Sequence, residues 1–147
     1  MIKPIQILIV EDEMIIAANI SLQLSNLGYQ ITGIIPRAEE VIPHIDQNLP
    51  DIILMDINLK GNLDGIDIVH LIQKKYKIPI IYLTANADDA TFKKAKQTNP
   101  YAFISKPFKK IDLQHAIELT INRLEEEQEL QKISNEIPFV LSDCIFI

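Results

Sequence analysis

Five side chains carry most of the chemistry this sequence can offer. Glu11 and Asp12 follow one apolar run, Asp56 ends a second, Thr84 ends a third and Lys106 ends a fourth. If the fold gathers these ends, three carboxylates share one place. Like charges packed closely repel, and their pKa values rise unless a cation neutralises them. A hard divalent ion is the natural partner. Mg²⁺ takes oxygen ligands and keeps several waters, so a few carboxylates plus a backbone carbonyl suffice. Lys106 adds a positive charge and Thr84 a hydroxyl donor. A nucleophilic carboxylate, a metal, a cation for the phosphoryl oxygens and an oriented hydroxyl are what phosphoryl transfer needs.

The elements that must position these groups follow from the hydrophobic pattern. Ile52, Ile53, Leu54 and Met55 are consecutive and large. Such a run cannot be half-exposed and reads as a strand buried on both faces, the habit of parallel sheets. Asp56 stands at its C-terminal end, where open α/β sheets bind their ligands. Residues 5–10 form a first strand, 29–35 a second, 78–83 a fourth and 101–105 a fifth. Helices are expected between them. The first runs to about residue 27, with Ile16, Ile20, Leu24 and Leu27 at helical spacing and Gly28 as its stop. The second covers about residues 37–47, with Pro43 inside it, which predicts a kink or a shortened helix. The third starts near Gly65 after a polar loop. The fourth covers about residues 87–98, with Asp88 and Asp89 in its first turn and Lys93, Lys94 and Lys96 facing out. The fifth begins at Lys109 or Lys110, with Leu113, Ile117, Ile121 and Leu124 as its stripe. Alternating strands and helices imply a parallel sheet with helices on both faces. The five candidate side chains then lie on one rim.

Bulk properties narrow the function. A chain of 147 residues, 48% of them hydrophobic, can build one domain with a sizeable core. The net charge of -6 argues against nucleic-acid binding through a basic face of this segment. The lone Cys144 excludes an intrachain disulfide and fits a reducing cytoplasm. The N-terminus runs straight into a strand, leaving no room for a signal peptide, and no apolar run approaches the ~20 residues that span a bilayer. His44, His70 and His115 show no ligand spacing.

Glu11-Asp12 after strand 1, Asp56 after strand 3, Thr84-Ala85 after strand 4 and Lys106-Pro107-Phe108 after strand 5 resemble the receiver domain of two-component response regulators. The resemblance covers residues 5–126. It implies a flavodoxin-like doubly wound sheet of five parallel strands in the order 2-1-3-4-5. It also implies that Asp56 accepts a phosphoryl group from a sensor histidine kinase or a phosphotransfer protein. Glu11 and Asp12 would be the Mg²⁺ acids, Asp12 favoured as the direct ligand, with the Asn58 backbone carbonyl completing the set. Thr84 and Lys106 would contact the phosphoryl oxygens. The Lys106-Pro107 bond would be cis, a modest cost for an X-Pro bond. Phe103 stands where many members have tyrosine and resembles their rotameric switch residue. Phenylalanine keeps the packing part of that switch and lacks the hydroxyl. Asn58 and Asn86, two residues after Asp56 and Thr84, sit where receivers tune autodephosphorylation.

The resemblance makes the domain residues 1–126, followed by a helical extension and linker, 127–138, in which residues 135–138 break the helix. The strand-like residues 139–147 resemble the opening strand of a LytTR-type DNA-binding domain and suggest truncation at the start of an output domain. The expected function is therefore a cytoplasmic phosphorylation switch that assists its own phosphorylation and dephosphorylation without being a turnover enzyme. Activation is expected to act through the face of helix 4, strand 5 and helix 5, which is also the candidate homodimer face. DNA contact would come only through the missing domain, and no membrane is involved. One rival is a stand-alone relay receiver acting by protein binding. Another is a haloacid-dehalogenase-like phosphatase, which needs a second Asp two residues after the nucleophile. Asn58 occupies that position.

Overall fold

The computed structural model describes residues 3–85 and 88–136. Among these residues, five strands alternate with five α-helices: β1 (Gln6–Val10), α1 (Met14–Asn26), β2 (Gln30–Ile35), α2 (Val41–Gln47), β3 (Ile52–Asp56), α3 (Gly65–Gln73), β4 (Ile80–Thr84), α4 (Asp89–Lys96), β5 (Ala102–Ser105) and α5 (Lys110–Glu136). The strands form one parallel sheet in the order β2-β1-β3-β4-β5. This is the flavodoxin-like order expected from the sequence.

The order explains the composition of each strand. β3 and β4 have neighbours on both sides, and every one of their residues is buried. The edge strands β2 and β5 are only partly covered, and their sequences are more mixed. Side chains alternate between the two faces. Leu8, Val10, Ile53, Met55 and Tyr82 pack on one face against Val41 and Ile45 of α2, Ile66, Val69 and Ile72 of α3 and Ala95 of α4. The alternate residues Ile7, Ile9, Leu54, Ile81 and Leu83 are equally buried outside that cluster. α1, which buries Ala17, Ile20 and Leu24, lies against β1 and β2. Fully burying each of these Val, Leu, Ile and Met side chains contributes ~1.5–3 kcal/mol, so the sheet and the helices packed on it supply most of the core stabilisation.

Helix ends follow local chemistry. Gly28 takes φ 95° just after α1 and donates to the Ser25 carbonyl at 3.1 Å, as a left-handed helix stop requires. The second helix is shortened rather than kinked. A 3-10 turn (Ala38–Glu40) precedes it, and Pro43 falls in the first turn of α2, where its missing N–H has no helical partner to lose. Asp88 is the N-cap of α4 and accepts from the Thr91 N–H at 2.7 Å; Asp89 is in the first turn. One expectation is corrected at the end of α5. Asn135 and Glu136 do not break the helix but belong to it. Asn is only mildly unfavourable in a helix interior, and residues 137 and 138 lie outside the described residues.

The chain divides into two compact units, Met1–Ala116 and Ile117–Ile147. The first holds the whole sheet. The second continues α5, with Leu130 and Ile133 exposed. Residues 139–147, for which an output-domain strand was expected, lie outside the described residues. Among the described residues, no helix is long and apolar enough to cross a membrane.

Candidate functional site

A parallel sheet aims the C-terminal ends of all its strands at one rim, and the site is built there. Glu11 follows β1, and its N–H donates to the Ile35 carbonyl of β2 at 3.1 Å, so its backbone is held by the ladder. Asp56 is the last residue of β3 and pairs with Leu83 of β4. Thr84 is the last residue of β4 and pairs with Ser105 of β5. The Lys106 N–H donates to the Thr84 carbonyl at 2.8 Å, which anchors the start of the β5–α5 loop to β4. The Lys106-Pro107 bond that follows is cis.

The carboxylates converge. Glu11, Asp12 and Asp56 each place a carboxylate oxygen within 4.8 Å of the others. Glu11 is wholly buried and Asp56 is 2% exposed. The Lys106 ammonium donates to Glu11 Oε1 at 2.6 Å and lies 3.5 Å from Asp56 Oδ1. Glu11 Oε2 accepts from the Glu13 N–H at 3.2 Å. Asp56 Oδ1 accepts from the Asn58 N–H at 3.0 Å. Asp12 Oδ2 accepts from the Lys60 N–H at 3.2 Å, tying the β3–α3 loop to the end of β1. The Thr84 hydroxyl is buried and has no hydrogen-bond partner among the described residues. A buried hydroxyl left unpaired is costly, so its place in a native structure calls for a ligand group or a solvent molecule.

The electrostatics are unbalanced. Burial, reinforced by the neighbouring Asp56 carboxyl, pushes Glu11 up to about 7. The close Lys106 ammonium works the other way, but burial together with Asp56 outweighs it, so the upward direction stands. Burial also opposes the charge on Lys106. The Glu11 and Asp56 carboxylates more than offset this, leaving Lys106 above its ordinary value. A hard divalent cation fits such a place: all three side chains offer oxygen, the negative charge is in excess, and the oxygens lie within one coordination sphere of each other.

Sequence reasoning did not identify the role of Gly65 at this site. Its N–H donates to the Ile57 carbonyl at 3.0 Å, and a Cβ there would sit far inside contact distance of the Asp56 carbonyl oxygen. Only glycine lets α3 start this close to the end of β3. The reciprocal hydrogen bonds between Asp64 and Asp67 fix that start. The signal was present as Asp64-Gly65 opening a helix, a capping residue followed by a residue with no side chain.

Glu11, Asp12, Asp56 and Lys106 are thus in one cluster, Asn58 joins it by its backbone, and Thr84 adjoins it through the Lys106 bond. Phe103 is not part of the cluster. It lies on β5 opposite Tyr82, their ring centroids 5.6 Å apart, and its other neighbour is Phe92 of α4 at 4.8 Å. Asn86 lies outside the described residues.

Comparison with known proteins places the chain. Residues 7–118 match the model of the response regulator receiver domain. The transcriptional regulatory protein PdtaR of Mycobacterium tuberculosis is 33% identical over 123 residues, which cover 84% of this chain and 60% of PdtaR. The transcriptional regulatory protein BaeR of Escherichia coli is 28% identical over 141 residues, covering 96% of this chain and 58% of BaeR. The chain therefore spans less than two thirds of the length of either. Among solved structures, the signal receiver domain of a modulated diguanylate cyclase from Desulfovibrio desulfuricans superposes with a TM-score of 0.80 at 35% identity, over 85% of this chain and 99% of that one.

Proposed function

Because the chain belongs to the response regulator receiver domain family, we propose that it is a phosphorylation-operated switch whose acceptor is Asp56. The observation that carries the proposal is the cluster of three carboxylates, Glu11 and Asp56 buried and Asp12 half-buried, with the Lys106 ammonium on Glu11 and Asp56 and with Asp56 at the strand end. An Asp56 carboxylate oxygen attacks the phosphorus of a phosphohistidine in a sensor kinase or phosphotransfer protein. An O–P bond forms, giving an acyl phosphate. The N–P bond breaks, and its electron pair stays on the imidazole, which takes up a proton. Glu11, Asp12, Asp56 and the Asn58 carbonyl are the groups that would hold Mg²⁺, which when bound neutralises the excess charge and polarises the phosphoryl oxygens.

The chain's own groups do the rest. Lys106, already 3.5 Å from Asp56 Oδ1, exchanges part of its bond to Glu11 for a phosphoryl oxygen. Thr84 donates its hydroxyl, which has no partner among the described residues, to another. Thr84 and Phe103 then form the switch, with Phe103 repacking behind the displaced hydroxyl. The reading is of a signal carrier, not a turnover enzyme. Asn58 offers an amide where a phosphatase of the dehalogenase type needs a general acid.

Output is proposed to be transcriptional, since PdtaR and BaeR are by name transcriptional regulatory proteins and each is longer than this chain. A cytoplasmic setting, a homodimer through α4, β5 and α5, and a LytTR-type domain begun by residues 139–147 extend the proposal. Sequencing beyond Ile147 separates this output from a stand-alone relay. For the central claim, wild type and Asp56→Asn are incubated with a small phosphodonor and Mg²⁺ and resolved on a phosphate-affinity gel. Wild type shifts and the variant does not; undiminished labelling of the variant removes Asp56 as acceptor.

A further inference from the structure

Phe103 has no hydroxyl, yet the aromatic pair it belongs to does. Tyr82 lies directly opposite it on β4 and is wholly buried. Strand alternation puts Tyr82 on the same face as Thr84, two residues on. Its hydroxyl is 2.8 Å from the Thr98 hydroxyl, beyond the end of α4. Thr98 Oγ1 donates its single proton to the Ala95 carbonyl at 2.6 Å. Thr98 must therefore accept, and Tyr82 must donate. Burial pushes the Tyr82 phenol up to about 12, so it keeps that proton. The Thr98 carbonyl in turn accepts from Gln73 Nε2 of α3 at 2.7 Å. One buried threonine thus joins β4, α3 and the last turn of α4. Asn99 then turns the chain away at φ 55°.

We infer that Tyr82 is a positioning residue of the switch: its hydroxyl, fixed on Thr98, carries a displacement at Thr84 along β4 to the C-terminal turn of α4. This rests on the switch reading above and adds the route. The ring of Tyr82 stacks on Phe103, and Phe103 lies against Phe92, which is 42% exposed on α4. The phenol of this aromatic pair is on β4 and is bonded inside the protein, so on this route the signal is read by the end of α4 and by Phe92.

Tyr82→Phe deletes one oxygen and leaves the ring stack in place. Hydrogen exchange is followed at the Thr98 and Asn99 amides, with the β3 amide of Ile53 as internal reference, with and without Mg²⁺ and beryllofluoride as the phosphoryl mimic. Binding of the mimic is read separately by fluorine NMR. In wild type the mimic changes exchange at Thr98 and Asn99 relative to Ile53. In Tyr82→Phe the mimic binds within about twofold of wild type, exchange at Thr98 is about fivefold faster without it, as loss of one net hydrogen bond implies, and the mimic-induced change is gone. Thr98→Val reproduces this, and Thr98→Ser restores the wild-type response. An unaltered response in Tyr82→Phe overturns the route, as does a mimic affinity weakened more than tenfold, which would place Tyr82 in the binding site. A wild-type chain that binds the mimic without a response at Thr98 also defeats the route alone. One that does not bind the mimic overturns the switch reading and the route with it.

Discussion

Two clusters in this protein use nearly the same side chains and behave in opposite ways. At the rim, Lys106 meets Glu11 and Asp56, with Asp12 beside them. On the surface, Lys75 donates to Asp46 Oδ1 at 2.8 Å, and the Tyr76 hydroxyl donates to the same oxygen. The surface group joins α2 to the residue run after α3. It is charge-balanced and open to water, its side chains 38% and 56% exposed for Asp46 and Lys75. Its carboxylate is held below the ordinary value, by Lys75 first and Tyr76 second, and Lys75 is raised in return by Asp46. The rim group is buried and has more acid than base, and its Glu11 is pushed toward the neutral form. The surface group is complete in itself. The rim group carries an excess of negative charge, which suits a hard divalent cation. Burial combined with imbalance, and not the number of charges, distinguishes a site from a brace.

The largest expected contrast is between equivalent lysine substitutions. Lys106→Met strips a buried carboxylate of its counter-ion and should cost about 3 kcal/mol of stability in metal-free protein at pH 8. Lys75→Met should change the urea midpoint very little, because exposed pairs are weak. Equal losses at the two sites would erase the distinction.

The second contrast is in pH dependence. Glu11 in the folded protein titrates near 7, above its ordinary value of 4.5. Between those values the folded state keeps a proton that the unfolded state has released. The contribution is therefore full below about 4.5 and is lost as pH rises through 7, up to about 3 kcal/mol. Urea titrations of wild type and Glu11→Gln across this range, without metal, isolate it as their difference. Mg²⁺ binding should release a proton below pH 7 and so tighten with rising pH, by at most tenfold per unit, levelling off above. A flat difference curve would mean that Lys106 keeps Glu11 ionised throughout.

The smallest effect belongs to the surface group and has the opposite sign. The carboxyl of Asp46 is held below 3.8, so its contribution is present above that value and lost as pH falls through the folded pKa. Asp46→Asn should lower the melting temperature slightly at neutral pH, with the difference shrinking in ~1 M salt. A loss as large as that of Lys106→Met would show that the brace is more than a surface pair.

The fold was readable because its signals are local and repeated. An uninterrupted apolar run such as Ile52-Ile53-Leu54-Met55 can be satisfied only by cover on both faces, and alternation with helical periods then leaves few topologies. The rim followed from the same logic, since parallel strands end together. The short second helix was expected from Pro43, which falls in its first turn. Expectation and structure part at the end of α5, where the competing force was small: α5 runs through Asn135 because one residue of modest propensity does not stop a long helix.

By itself, the sequence determined that Glu11, Asp12, Asp56, Thr84 and Lys106 stand at strand ends, because burial forces apolar residues into the strands and leaves polar ones where the strands stop. Tertiary structure alone decided which of them touch. Lys106 lies 95 residues from Glu11 and pairs with it at 2.6 Å, and Tyr82 reaches Thr98 across a helix. It also decided that α3 begins against the Asp56 carbonyl, where Gly65 leaves room. Such contacts depend on the separation and register of packed elements, quantities set by the whole core at once and written in no single stretch of chain.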